Sequence, residues 1–200
     1  MDEFFRITDD CGRMLLDSGE LGGSLLIDGH NAEPPASAYE RGVAVALVSV
    51  VRNHPASVDP RIKSNNLLNN VLAMQAALRR GPYFEAVMRN HRGELAECSQ
   101  SNLFLVKGGT AYTPALDAGL LAGITREFVE EVAVDSGIPM VDAVLRDAEL
   151  LGADEAFLTS TSKEIVPIVR VDERAIGAGV PGPITRRLLD GYRVKARQVV

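Results

Sequence analysis

The chain is poor in the residues that hold small extracellular domains or metal centres together. It has two cysteines, Cys11 and Cys98, and three histidines, His30, His54 and His91. Two isolated thiols make neither a disulfide framework nor a metal motif, and the scattered histidines have no close Cys or His neighbour, so no metal site is expected. No apolar run reaches the roughly 18 residues of a membrane span. No basic cluster interrupts the net charge of −6. A nucleic-acid partner is therefore not expected, because phosphates call for a cationic face. The opening MDEFFRITDDCGRMLLDSGE lacks the basic and apolar parts of a secretion signal. A reducing cytoplasm fits these absences.

What is present is an ordinary globular composition. Two hundred residues, 46% hydrophobic and 24% charged, can bury a sizeable core in one large or two small domains. Residues 24–28 and the Val- and Ala-rich run 42–51 read as strands, with a Pro-containing linker at 31–37. The segment RNHPASVDP then breaks the pattern and delivers the chain to Lys63. From 64 to 80 the spacing of Leu67, Val71, Met74 and Leu78, with Leu68 and Leu72 beside them, predicts a helix with one buried face. Strands follow at 84–89, 102–106 and 110–113, the last two joined by Gly108-Gly109, as in a β-meander. A second helix starts after Gly123, with an apolar stripe of Ile124, Phe128, Val129, Val132 and Ala133, and ends at Gly137. Strands at 139–145, 155–159 and 165–171, a short helix at 148–152, and a last helix from Pro183 carrying Ile184, Leu188 and Tyr192 complete an α/β (α+β) reading.

Four ordered segments carry chemistry. Lys63 opens KSNNLLNNVLA. Taken alone it is a solvated lysine at a helix start; a cation there is mildly disfavoured by the helix dipole, which invites another role. As a nucleophile, a lysine must lose its proton in a desolvated or electropositive site. Glu97, in ECSQSNLF, is alone a surface carboxylate on a strand edge. Beside a pyridine nitrogen, the same carboxylate would favour the protonated ring. Gly123-Ile124-Thr125, in LAGITR, is either a plain helix cap or an anion site made of free N–H groups and a hydroxyl. Ser160-Thr161-Ser162 is either a polar turn or a second set of hydroxyls for a phosphate. Together they supply an amine, a carboxylate and two hydroxyl-bearing turns, the parts needed to hold pyridoxal 5'-phosphate. Gly177 to Gly182 fits GxGxxG, but only 18 residues follow it, too few for a dinucleotide-binding βαβ unit, and it reads as a turn before the last helix.

Taken jointly, these segments resemble the class IV pyridoxal-phosphate enzymes, which include D-amino-acid and branched-chain aminotransferases and aminodeoxychorismate lyase. The likeness runs from about Gly42 to the C-terminus. It implies that Lys63 forms a Schiff base with the cofactor and then shuttles a proton, and that Glu97 partners the ring nitrogen. It further implies that Leu121 packs on the ring, that Ile124 and Thr125 hold the phosphate, and that Ser160 and Thr161 form a second phosphate- and substrate-facing turn. Leu68 stands where branched-chain enzymes typically carry a tyrosine, a pattern closer to the D-amino-acid aminotransferase and lyase branches. Family members carry many more residues ahead of the lysine than the 62 found here. The resemblance therefore implies a remnant of the small N-terminal domain at 1–55 and a large cofactor domain at 56–200. Arg6 and Arg13 are candidates, by residue type alone, for the missing phosphate arginine. The implied activity is transfer of an amino group between an amino acid and a 2-keto acid in a homodimer. The alternatives are a lyase releasing pyruvate and a non-catalytic relic.

Overall fold

The computed structural model describes residues 34–198 in full, the backbone of Val199, and the backbone of two short strands nearer the N-terminus. These strands, β1 (Met14–Leu15) and β2 (Leu26–Ile27), pair antiparallel, and β2 falls inside the expected 24–28 strand. Arg6 and Arg13 lie outside the described residues. The chain divides into two compact units, Met1–Pro34 and Pro35–Val200, and the second carries Lys63, Glu97, Leu121, Ile124, Thr125, Ser160 and Thr161.

That second unit begins with helix α1 (Ala36–Arg41) and strand β3 (Val43–Val51). Helix α2 (Leu68–Leu78) leads to strands β4 (Glu85–Arg89), β5 (Leu95–Cys98), β6 (Asn102–Lys107) and β7 (Thr110–Pro114). A 3-10 turn at Leu116–Ala118 precedes helix α3 (Ile124–Asp135), strand β8 (Met140–Ala143) and helix α4 (Asp147–Leu151). Strands β9 (Glu155–Ser160), β10 (Glu164–Val171) and β11 (Arg174–Ala175) and helix α5 (Pro183–Val199) complete it. The sheet runs β5-β4-β3-β10-β9-β6-β7-β8, with β11 on β10. Its β3/β4, β3/β10 and β7/β8 pairs are parallel and the others antiparallel. The sheet is thus mixed. Of the expected meander only the β6–β7 hairpin forms, because β6 pairs on its other side with β9. Strand β3 pairs with both β4 and β10, and all three lie in the compact unit that begins at Pro35.

Alternation along the strands sorts side chains onto two faces. Val43, Val45, Val87, Leu103, Leu105, Leu158 and Ile168 share one core. Phe104, Phe157 and Ile165 point the other way, against Val129 and Val132 of α3 and Leu188 of α5. Ala46, Val48, Ala86 and Met88 lie under α2. The Leu95 N–H donates to Leu145 O, just past β8, at 2.7 Å, so the β5 and β8 edges meet and the sheet curls.

Two helix faces differ from the sequence pattern. On α2 the buried residues are Ala73, Met74 and Ala77, whereas Leu67, Leu68, Leu72 and Leu78 are exposed. Small side chains let the helix lie close over Ala46 and Ala86, and the leucines are turned outward. On α3 the stripe holds at Val129, Val132 and Ala133, but Ile124, at the helix mouth, is 82% exposed.

The GxGxxG segment has a structural explanation. The Glu155 carboxylate accepts the Ile184 N–H at 3.0 Å and the Thr185 N–H at 2.7 Å, so the protein's own anion occupies the start of α5. Gly182 leaves room for this cap, since a Cβ there would overlap the Glu155 carboxyl group. Gly182→Ala should therefore lower stability by about 1–3 kcal/mol in denaturant unfolding. An unchanged midpoint would show that the cap is not held as described.

Candidate cofactor site

The site begins with an irregularity in β5. Arg89 pairs with Leu95, yet the preceding residue, Met88, pairs with Glu97, so Ala96 is an extra residue in the ladder. Such a bulge re-aims a side chain. Leu95 and Cys98 both keep to the inner core, and Glu97 is set opposite Met88 on the α2 side.

Glu97 is 5% exposed and both of its oxygens have partners. Oε1 accepts Arg52 Nε at 2.6 Å, and Oε2 accepts the Leu121 N–H at 3.2 Å. Arg52, just past β3, is itself 8% exposed and also donates through Nη1 to Asn69 Oδ1 at 3.2 Å. Burial raises the Glu97 pKa above the ordinary carboxylate range, with Arg52 and the Leu121 N–H pulling it back. The neighbouring Cys98 thiol is pushed well up, first by burial and then by Glu85, and stays protonated.

Leu121 ties this carboxylate to the next segment. Its carbonyl accepts Asn102 Nδ2 at 2.9 Å. A Cβ on Gly123 would overlap Asn102 Oδ1, so glycine makes room for that amide where the chain enters α3. No side chain caps α3, which leaves its first N–H groups available. The Thr125 and Thr161 hydroxyls meet at 3.4 Å, joining the helix start to the β9–β10 turn. On that turn Ser160 Oγ, and beside it Thr159 Oγ1, are buried without a hydrogen-bond partner. Arg126, in the same LAGITR segment, is committed elsewhere: it pairs with Glu130 and Asp142, each at 2.6 Å, and anchors α3 to β8.

Lys63 is exposed, on the loop between Arg52 and α2. The loop is fixed at both ends. Pro60 is buried, and its Cγ lies 3.3 Å from where a Cβ on Gly119 would stand. Asn69 accepts from Arg52 Nη1 and the Asn53 N–H and donates to Val51 O, while Asn70 donates to Ser99 O at 2.7 Å. The lysine thus sits on a segment anchored beside Glu97, with its amine in solvent.

The chain matches the family model for amino-transferase class IV over residues 18–171. It belongs to the class IV aminotransferases. It is 40% identical over 156 residues to the branched-chain-amino-acid aminotransferase of Pseudomonas aeruginosa, covering 78% of this chain and 50% of that protein. It is also 35% identical over 159 residues to the D-alanine aminotransferase of Staphylococcus haemolyticus, covering 79% and 54%. Among solved structures, the branched-chain amino acid aminotransferase of Thermobaculum terrenum in its PLP-form superposes with a TM-score of 0.76 at 35% identity, covering 80% of this chain and 52% of that one. The chain spans about half the length of the curated relatives it matches.

Of the residues expected from sequence in this class IV chain, Glu97 and Leu121 are in direct contact, and Thr125 and Thr161 meet. Ser160 lies on the same turn with its hydroxyl buried, whereas Ile124 and Lys63 face solvent. Sequence reasoning missed Arg52, Asn69 and Asn102 as members of the constellation. Asn69 and Asn102 stood inside quoted motifs, but nothing in the local pattern marked a lone arginine at a strand end.

Arg52→Gln should leave the Glu97 carboxylate buried without its cation, which typically costs about 3–5 kcal/mol. With Arg52 gone, the Glu97 pKa rises further. The proton is then held more tightly in the folded state, and the penalty is relieved below the raised pKa. Urea midpoints should show a deficit at pH 8 that shrinks at pH 5. A deficit independent of pH would mean that Glu97 is not the group left unpaired.

Proposed function

We propose that this chain binds pyridoxal 5'-phosphate and transfers an amino group between an amino acid and a 2-keto acid. The observation that carries the reading is the buried Glu97 carboxylate, oriented by Arg52 and the Leu121 N–H, in a class IV chain whose Thr159 and Ser160 hydroxyls lack any partner of their own. This donor set fits the group. Ser160, Thr161, Thr125 and the first N–H groups of α3 would take the phosphate, with Ile124 contributing its backbone. Glu97 would face the ring nitrogen, Leu121 would lie beside the ring, and Lys63 would hold the aldehyde carbon through its ε-amino group. When bound, the cofactor supplies the electron sink for a substrate carbanion.

The chain's own work is positioning and proton transfer. Glu97 holds a negative charge where it favours a protonated ring, and the Arg52 hydrogen bond keeps that carboxylate from rotating away. With its amine free, Lys63 Nζ would take the α-proton of the amino acid and deliver it to the carbon that had carried the cofactor's aldehyde. The relatives named for branched-chain amino acids and for D-alanine suggest those two substrate classes. The reading includes a homodimer. Ile62 and Leu67 on the Lys63 loop, and Leu68 and Leu72 on α2, stand exposed, and a second copy covering the loop would also exclude water from the amine. A cytoplasmic setting is supported by the free thiol of Cys98.

The test is nitrogen transfer. Chain loaded with cofactor, given 15N-leucine or 15N-D-alanine and 2-oxoglutarate, should produce 15N-glutamate, and Lys63→Ala should abolish it. Borohydride should fix the cofactor's mass to the peptide carrying Lys63. Pyruvate released from aminodeoxychorismate without an acceptor would make the chain a lyase, and binding without turnover would make it a relic.

A further inference from the structure

Next to the site lies a second buried charge pair that the reaction does not use. Glu85, at the start of β4, is fully buried. Four donors converge on its carboxylate: Lys163 Nζ at 2.7 Å, Ser101 Oγ at 2.5 Å, the Gln100 N–H at 2.8 Å and Ser99 Oγ at 3.2 Å. Lys163 is 8% exposed, also donates to Gln100 Oε1 at 2.8 Å, and lies 5.4 Å above the Phe84 ring. Every polar atom of the pair is therefore committed within the protein.

The location of the pair is informative. The 99–101 turn follows β5, one residue after Glu97, and leads into β6. Lys163 closes the turn that carries Ser160 and Thr161, its N–H donating to Ser160 O at 3.1 Å. Asn102 stands opposite Thr159, so the two turns lie at the same end of neighbouring strands. Glu85 and Lys163 are thus a bolt between the turn behind the ring carboxylate and the turn bearing the phosphate hydroxyls. A charge pair in a dry interior tolerates little change in geometry. Among the described residues, the Lys163 amine, bonded to Glu85 and to Gln100, makes the side-chain hydrogen bonds that tie the 160–163 turn to the 99–101 turn.

We infer that the buried Glu85–Lys163 pair is a positioning device that sets the spacing between the Glu97 carboxylate and the Ser160–Thr161 hydroxyls, and thereby matches the site to a ligand carrying both a pyridine ring and a phosphate. This rests on the cofactor site proposed above. Two half-sites at the right separation act together, and the gain disappears when their spacing is no longer enforced. Loosening the bolt should therefore weaken the two-ended ligand selectively and spare each half.

The experiment uses the full chain and three probes: pyridoxal 5'-phosphate, pyridoxal, and inorganic phosphate. Lys163→Met breaks the pair. Glu85→Gln with Lys163→Met does so without leaving a buried charge, and its thermal midpoint reports whether the fold is intact. Both variants should bind pyridoxal 5'-phosphate on the order of tenfold to a hundredfold more weakly, while pyridoxal and inorganic phosphate stay within about twofold of wild type. Unchanged cofactor affinity in the folded double variant, or a proportional loss for all three probes, would overturn the inference. Failure of the wild-type chain to bind pyridoxal 5'-phosphate would instead strike the site itself and take this inference with it.

Discussion

The ion pair between Arg52 and Glu97 is the constraint on which the rest of the site depends. A carboxylate with almost no access to water is costly unless partners replace its hydration. Here one oxygen is taken by a guanidinium N–H and the other by a backbone N–H. Buried ion pairs are poor sources of stability, because apolar residues of similar volume often do as well or better. The pair is therefore better explained by chemistry than by packing. It holds a negative charge at a fixed point and fixes which lone pairs face outward.

The fold builds this point from several distant stretches of chain. A bulge in β5 turns Glu97 away from the inner core. The end of β3 supplies Arg52, and α2 supplies Asn69 to brace it. The entry to α3 supplies Leu121 and, through Gly123, room for Asn102. The β9–β10 turn brings up the hydroxyls. The sheet acts as the rigid frame, and the groups of the candidate site sit at strand ends, a helix start and the adjoining turns, where side chains can converge without disturbing the core.

Much of this was legible in the sequence, and the exceptions are physically instructive. Strands β3, β6 and β10 follow from Val-, Ile- or Leu-rich runs, and β4, β7 and β9 from shorter stretches that include aromatic, Ala or Thr residues, all bounded by turn residues. Glu97, Leu121, Thr125 and the Ser160–Thr161 turn stand in short contiguous motifs, and the structure brings Glu97 to Leu121 and Thr125 to Thr161. Arg52 was not, since its role arises only when the chain end of one strand meets the bulge of another, 45 residues on. The buried side of α2 was misread because leucines outweigh alanines in a hydrophobic pattern, while close packing on a strand favours the alanines. The GxGxxG segment was set aside for want of a following βαβ unit. The structure adds the local cause, which is that Glu155 already occupies the helix start. The exposure of Lys63 marks the limit of what residue type alone conveys: a lysine in a motif carries an amine, but the desolvation a nucleophile needs is not written in its local sequence.

The central claim is that Glu97 is an ionised, oriented carboxylate facing a pyridine nitrogen. The most direct measurement is the 15N chemical shift of ring-labelled pyridoxal 5'-phosphate bound to the chain. The account predicts a protonated ring nitrogen in the wild-type complex and its loss in Glu97→Gln. An unprotonated nitrogen in the wild type, or a protonated one that persists in Glu97→Gln, would contradict it.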